Sequence, residues 1–82
     1  MSEENVYRYI SVFEKNGEVH VRDILFSSAP SLDLLQKIFL GGADDPMYDE
    51  YAIDANKAFQ LAPFVKEAFD LKRFEYFLSC DS

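Results

Sequence analysis

Two stretches near the start of the chain are rich in β-branched and aromatic residues, and a short polar segment separates them. Val6–Phe13 and Glu18–Phe26 are therefore predicted strands. The segment between them, Glu14–Gly17, ends in Asn-Gly, a pair that suits the positive φ angles of a tight turn. The pattern predicts an antiparallel β-hairpin.

The register of this hairpin can be predicted from the side chains that would face each other. A four-residue loop gives two apolar pairs and one ion pair on a single face: Val12 with Val19, Ile10 with Val21, and Arg8 with Asp23. A two-residue loop would instead set Ile10 against Asp23 and Glu14 against Val19. Because the first register makes the better cross-strand pairs, we expect the four-residue loop.

A helical pattern follows the break at Ser27–Pro30. Ser31 is a predicted N-cap, since its hydroxyl can accept a hydrogen bond from an amide of the first turn. Asp33 meets the positive end of the helix dipole. Apolar residues then recur at helical spacing, and a glycine follows as the predicted C′ residue: Leu34, Leu35, Ile38, Phe39 and then Gly41. The pattern predicts a helix over Leu32–Leu40.

After a predicted loop over 42–49, a short strand at Glu50–Ile53 precedes a second helix. Asp54 is the predicted N-cap of that helix. We expect four of its side chains to point inward: Ala58, Phe59, Leu61 and Ala62. Pro63 lacks a backbone donor, so the helix stops there or restarts with proline in its first turn. The apolar residues of Phe64–Phe69 indicate a further helical turn or two.

Lys72–Cys80 is the last predicted strand, and it completes the order β-β-α-β-α-β. One of its faces is apolar: Phe74, Tyr76, Leu78 and Cys80. Each helix has a single apolar stripe, so we predict an α+β fold in which two helices pack on one face of a mostly antiparallel four-stranded sheet. The other face is expected to carry Tyr7, Tyr9, Ser11, His20, Arg22 and Phe77.

The length and composition predict one domain, residues 1–82, with residues 1–5 flexible. Cys80 is the only cysteine, which excludes an intramolecular disulfide and favours a reducing compartment. The first twenty residues lack the apolar core of a signal peptide, and no apolar run reaches the ~18 residues of a membrane span. We therefore expect a cytoplasmic location.

Charge narrows the range of partners. Fifteen acidic residues stand against eight Lys and Arg, giving a formal net charge of −7. A field of this sign repels nucleic acid and anionic membranes and attracts basic proteins. We predict a protein partner with a basic surface, and neither nucleic acid nor membrane.

The sequence offers little support for catalysis. His20 has Ser11 as a predicted cross-strand neighbour, but no carboxylate is visibly placed to orient its imidazole. Cys80 has neither a CxxC partner nor a second histidine. Gly41-Gly42 follows a helix instead of preceding one, so it cannot cradle phosphate at a helix N-terminus. We predict a protein that is not an enzyme and binds neither cofactor nor metal.

The most informative stretch lies between Lys37 and Lys57, where no basic residue occurs. Its acidic residues supply most of the surplus negative charge, and three large side chains are interleaved with them: Asp44, Asp45, Asp49, Glu50 and Asp54, with Met47, Tyr48 and Tyr51. One interpretation is a solvated loop. A second is a calcium site, although the spacing does not fit an EF-hand. The third is a docking surface for a basic partner, with tyrosines as anchors.

Four segments together resemble a known family: Tyr9-Ile10-Ser11-Val12-Phe13, Ser31-Leu32 at a helix start, Asp44-Asp45-Pro46-Met47-Tyr48-Asp49, and Phe74-Glu75-Tyr76-Phe77-Leu78. The chain is similar, from about Tyr7 to Asp81, to small acidic bacterial domains with no assigned activity. Some of these look like immunity proteins of contact-dependent or secreted toxin systems.

The resemblance implies that the chain binds and neutralises one cognate toxin domain, for which nucleases with basic clefts are frequent examples. The acidic stretch would then be the contact surface, because its carboxylates can take the places of phosphates. The rival hypothesis is an interaction module or self-associating structural protein, in which exposed aromatic residues pair in a homodimer.

Overall fold

The computed structural model describes residues 7–16, 19–39 and 50–81 of the chain. Its elements follow the predicted order: β1 (Tyr7–Glu14), β2 (His20–Leu25), α1 (Leu32–Ile38), β3 (Tyr51–Ala52), α2 (Ala55–Leu61), a 3₁₀ turn (Ala62–Phe64) and β4 (Phe74–Asp81). The segment 1–5, predicted to be flexible, lies outside the described residues. The α+β class is confirmed.

The strands form one four-stranded sheet in the order β2-β1-β4-β3. Every neighbouring pair is antiparallel. The two long strands, β1 and β4, lie in the middle and pair along their whole length, from Tyr7 opposite Asp81 to Glu14 opposite Phe74. The first and last strands of the chain therefore hold the sheet together.

The core lies between one face of this sheet and the two helices. β1 and β4 supply its central side chains, with Ile10 and Val12 paired to Leu78 and Tyr76. Each helix adds two buried residues to the same cluster, Leu35 and Ile38 from α1 and Ala58 and Leu61 from α2. Both helices thus pack on one face, as predicted. Fully burying a side chain such as Leu61 stabilises the fold by about 1.5–3 kcal/mol.

Both predicted N-caps are confirmed. The Ser31 hydroxyl accepts a hydrogen bond from the Leu34 amide at 3.1 Å, and the Asp54 carboxylate accepts one from the Lys57 amide at 2.9 Å. Each helix has seven residues. No helix in the described part of the chain is long and apolar enough to cross a membrane.

The predicted hairpin register is wrong. Ile10 lies opposite Ile24 and Val12 opposite Arg22, not opposite Val21 and Val19. The expected register would have turned Ile24 away from the core, whereas the fold buries Ile24 to 5% exposure and leaves Val19 and Val21 half exposed. An irregularity beside Phe13 absorbs the difference, because Phe13 lies opposite His20 and the Glu14 amide bonds the Val19 carbonyl. Core burial therefore overrides the local pairing preference.

Two further expectations for the second half are corrected. Phe59 is 80% exposed and Ala62 is exposed as well, because the short α2 buries only the narrow stripe of Ala58 and Leu61. Pro63 lies within the 3₁₀ turn, and the segment 65–70 that follows the turn is not helical. The Asp70 amide instead donates a hydrogen bond to the buried Tyr76 hydroxyl at 2.8 Å, which ties this segment to β4.

Candidate functional site

The sheet face opposite the helices is the main candidate surface. Because the described helices both lie on the other side, this open face takes no part in the core. Strand register assigns to it the following described strand residues: Tyr7, Tyr9, Ser11 and Phe13 from β1; His20, Asp23 and Leu25 from β2; Ala52 from β3; and Glu75, Phe77 and Ser79 from β4. The predicted members are confirmed except for one arginine.

That exception is Arg22, which pairs with Val12 and so lies on the core side. Its guanidinium forms an ion pair with Glu67 and lies over the Phe74 ring, 5.6 Å from the centroid. The irregularity in β2 explains the error, since His20 stays on the open face while the alternation beyond it is shifted by one residue. The open face therefore loses a positive charge that the sequence had placed there.

Three rings meet at the turn end of the open face. Phe13 contacts Phe77 edge to face, with centroids 5.6 Å apart and ring planes at 90°. It also contacts the His20 ring at 5.4 Å. Both phenylalanines are half-buried, so part of each ring remains exposed. Phe13, Phe77 and His20 are called the ring cluster below.

Carboxylates flank the ring cluster on two sides. Asp23 Oδ1 lies 2.7 Å from His20 Nε2, and both side chains are more than 40% exposed. Because a carboxylate only accepts hydrogen bonds, His20 Nε2 is the donor. On the other side, Glu75 lies directly opposite Phe13 in the β1–β4 pair. The cluster is therefore an apolar surface between two acidic side chains.

A buried hydroxyl pair lies next to the ring cluster at the centre of the sheet. Ser11 and Ser79 are 5% and 4% exposed, and their Oγ atoms are 2.8 Å apart. The Ser79 hydroxyl donates to Glu50 Oε2 at 3.4 Å, so the Ser11 hydroxyl donates to Ser79. This chain of hydrogen bonds connects the middle of the open face to the exposed Glu50.

The far end of the open face is apolar. Tyr7 is 57% and Leu25 is 65% exposed, and Tyr7 contacts Tyr9 edge to face at 5.8 Å. A cavity of about 340 Å³ opens beside them, lined by Tyr7, Arg8, Leu25, Phe26, Ala29, Pro30 and Leu35. The open face thus combines an apolar end with an acidic, aromatic end.

Five of the eight residues predicted to contact a partner lie outside the described residues: Asp44, Asp45, Met47, Tyr48 and Asp49. The structure places the other three. Glu50 is exposed at the margin of the open face. Tyr51 is half-buried against the core and contacts Phe39 at 5.6 Å. Asp54 caps α2 and also forms an ion pair with Lys57.

Phe39 and Tyr51 are in contact on the core side of the sheet. These two residues flank the segment 40–50 in the chain, and their rings touch. The Lys57 ammonium lies 5.8 Å from the centroid of the Phe39 ring and also forms an ion pair with Asp54. Phe39 and Tyr51 are therefore held next to each other against the core.

The structure places a carboxylate beside His20 but does not complete a catalytic triad. It supplies the carboxylate that the sequence did not reveal, Asp23. The serine predicted to face His20 lies opposite Asp23 instead, and its buried hydroxyl bonds Ser79. Cys80 is half-buried. No group of three or more His, Cys, Asp or Glu side chains with metal-binding spacing occurs among residues 7–16, 19–39 and 50–81.

The sheet with one helical layer and an open, aromatic face defines a small α+β domain. Residues 7–79 match the model of a family described as a domain of unknown function, DUF7683, and the chain belongs to that family. The match covers nearly the range that the sequence resemblance indicated. No curated protein and no solved structure matches the chain.

Sequence reasoning missed the ring cluster. Phe13 closes the first predicted strand, and its alternation with Tyr9 and Ser11 already assigns it to the open face. The partners of Phe13 depend on the hairpin register, and the predicted register wrongly placed Ser11 opposite His20. Phe77 and His20 had been predicted on this face, but Phe13 had not.

Proposed function

We propose that this domain is a non-enzymatic inhibitor of the immunity type, which binds a basic toxin domain and blocks it. Its contact surface would consist of the acidic stretch 44–54 and the adjoining open face. Glu50 belongs to both, since it lies within the acidic stretch and accepts a hydrogen bond from Ser79 at the sheet centre. Glu50 is therefore shared by the two surfaces.

The observation that carries this proposal is the composition of the open face. Exposed or half-buried aromatic rings lie between Asp23 and Glu75, and Arg22 is turned to the other side. Aromatic anchors with a charged rim are typical of protein interfaces. A net charge of −7 would accelerate the encounter with a basic protein and suppress acidic competitors.

The hydrogen bonding of the open face also favours binding over catalysis. Ser11, the hydroxyl nearest to His20 in the predicted pairing, is buried and bonded to Ser79. A nucleophile must instead lie within hydrogen-bond reach of its base and of a substrate. His20 and Asp23 serve better as a fixed polar pair at the margin of an interface.

The proposal is tested by titrating the purified domain with the toxin domain encoded by the neighbouring reading frame. We expect calorimetry to detect a complex tighter than micromolar, and the toxin's activity to fall in proportion to the complex formed. Absence of binding at micromolar concentrations would overturn the proposal. A catalytically inactive toxin variant serves as the control, because it should bind equally well.

A second candidate, self-association, is favoured by the apolar end of the open face. Tyr7 and Leu25 are both more than half exposed, and a second copy packed on them would remove that surface from water. The negative charge of both copies opposes this contact. Light scattering at about 0.1–1 mM protein, with Leu25→Ser as the comparison, separates the two: a dimer that the substitution dissociates would favour self-association.

A further inference from the structure

The ring cluster carries an inference about the chemistry of the partner. Phe13 is its central residue, with Phe77 on one side and the His20 ring on the other. The Phe13 and Phe77 rings are half-buried and perpendicular to each other, so part of each ring remains accessible to solvent. The face of an aromatic ring is negative and attracts cations.

The charges around the rings point to the same class of ligand. Asp23 is held in place by its 2.7 Å hydrogen bond from His20, so this carboxylate is oriented beside the rings before any ligand arrives. Glu75 lies across the strand pair from Phe13. A cation resting on the Phe13 and Phe77 rings would therefore have a carboxylate on each side.

We propose that the ring cluster, with Asp23 and Glu75, is a recognition site for an arginine side chain of the partner. A guanidinium is planar, so it stacks on an aromatic ring while its N–H groups donate to carboxylates at the edges. An ammonium lacks the planar fork and is more strongly hydrated, which makes lysine the weaker ligand. This inference rests on the proposed function, since it names the residue by which a basic partner is anchored.

Guanidinium–ring contacts already occur on the core side of the same sheet. Arg22 and Arg73 already lie over the Phe74 ring at 5.6 Å, on the same strand as Phe77. The sheet thus uses guanidinium–ring contacts within its own fold. At the ring cluster, the described residues of the open face supply rings and carboxylates, and the partner would supply the guanidinium.

The site can be tested with a synthetic peptide in place of the toxin. The probe is a short arginine–glycine peptide. It is compared with two versions of the same peptide: one carries lysine in place of arginine, and the other carries citrulline, which keeps the planar shape but has no charge. Aromatic ¹H–¹³C spectra are recorded during each titration. We expect the arginine peptide to shift the ring signals of Phe13, Phe77 and His20, the lysine version to bind more weakly, and the citrulline version to have no effect.

Phe13→Leu and Phe77→Leu keep apolar bulk but remove the rings, and each should weaken binding of the arginine peptide roughly fivefold. Phe59→Leu is the matched control, because Phe59 is an exposed aromatic on α2, away from the open face. Glu75→Gln should weaken binding as well, since it removes a carboxylate without changing size. Circular dichroism of each variant verifies that the fold is kept.

Two results would overturn the arginine site. One is a titration in which the arginine and citrulline peptides give the same shifts. The other is equal affinity of the arginine peptide for Phe13→Leu and Phe59→Leu. The toxin titration described above tests the proposed function separately: a toxin that binds the natural domain would leave that function standing even if either result refutes the arginine site.

Discussion

Ser11 and Ser79 show how single polar groups are satisfied inside this sheet. Their side chains are almost fully buried, and each hydroxyl has its partner in the adjacent strand. Ser11 donates to Ser79, and Ser79 donates to the carboxylate of Glu50, which is exposed to solvent. At the helix starts, Ser31 and Asp54 satisfy backbone amides in the same way. Individual polar residues thus fix local structure that the small core alone would not determine.

The two single serine substitutions, added together, should reduce the unfolding free energy by more than the double substitution does. Ser79→Ala leaves the buried Ser11 hydroxyl without its acceptor, and we expect a loss of about 1–3 kcal/mol of unfolding free energy. Ser11→Ala/Ser79→Ala should lose less than the sum of the two single variants. Urea denaturation of all four proteins measures this cycle. Additive losses would show that the two hydroxyls are not coupled.

Asp54 makes a pH-dependent contribution to stability. Its hydrogen bond from the Lys57 amide, with the Lys57 ammonium in support, holds the pKa of this carboxyl below its ordinary value of 3.8. A lowered pKa in the folded state means that the contribution is complete above that value and is lost as the pH falls through the folded pKa.

Asp54→Asn is the informative variant, because asparagine also caps helices but cannot ionise. We expect the stability difference between the natural protein and Asp54→Asn to shrink as the pH is lowered through and below 3.8. Urea midpoints measured over this range provide the test. A difference that stays constant across the whole range would assign the effect to packing instead of charge.

At the scale of elements, the sequence predicted where the helices begin more accurately than which of their residues point inward. Both N-caps are local, since a side-chain oxygen bonds an amide three residues later in the chain. Which side of α2 turns inward depends on how much apolar surface the sheet offers. The sheet accommodates Ala58 and Leu61, and it leaves Phe59 in solvent.

Two substitutions on α2 should therefore have very different effects. Leu61→Ala removes a fully buried side chain, and we expect a loss of about 2–5 kcal/mol of unfolding free energy. Phe59→Ala should change stability by no more than about 0.5 kcal/mol, because this ring is 80% exposed. Thermal and urea unfolding measure both. Comparable losses would mean that Phe59 packs inward after all, as the sequence pattern predicted.

At the scale of the whole molecule, the arrangement of charge matters more than its total. The β2 irregularity turns Arg22 to the core side, where it pairs with Glu67, and leaves Asp23 on the open face. Glu50, whose carboxylate accepts a hydrogen bond from Ser79, lies at the margin of this face. Both features place negative charge on one side of the sheet, and a charged surface of this kind steers a basic partner during association.

Charge reversals can test the acidic stretch and the open face one at a time. Lysine at Asp45, Asp49 and Glu50 in one variant, and at Asp23 and Glu75 in another, should each slow association with the toxin domain by roughly tenfold at low salt. Each variant should also show a flatter dependence of the association rate on salt. Stopped-flow or surface-based kinetics over a range of salt concentrations measure both effects.

The control for these reversals is a variant with lysine at Asp33, Asn56 and Gln60, which are exposed on the two helices. One reversal and two neutral-to-lysine changes alter the net charge as much as the reversal of Asp23 and Glu75 does. We expect this control to associate nearly as fast as the natural protein. An equal slowing by control and test variants would indicate that only net charge matters and that the surface lies elsewhere.

The sequence alone determined whatever depends on neighbouring residues in the chain. The order of elements, the two N-caps and the apolar face of β4 all follow from short-range patterns of hydrophobicity and hydrogen bonding. The formal net charge of −7 likewise follows from composition. For the candidate site, the sequence predicted Tyr7, Tyr9, His20 and Phe77 on the open face, but it did not predict Phe13 or the contacts between the rings.

The tertiary structure decided the hairpin register, the direction of Phe59 and Arg22, and the ring cluster. Each depends on which side chains compete for a limited core. Burying Ile24 instead of Val21 shifted the pairing by three residues, and the irregularity beside Phe13 then brought His20 and Asp23 to the same face. Pairing energies between single residues are small compared with core burial, so a local pattern cannot settle that competition.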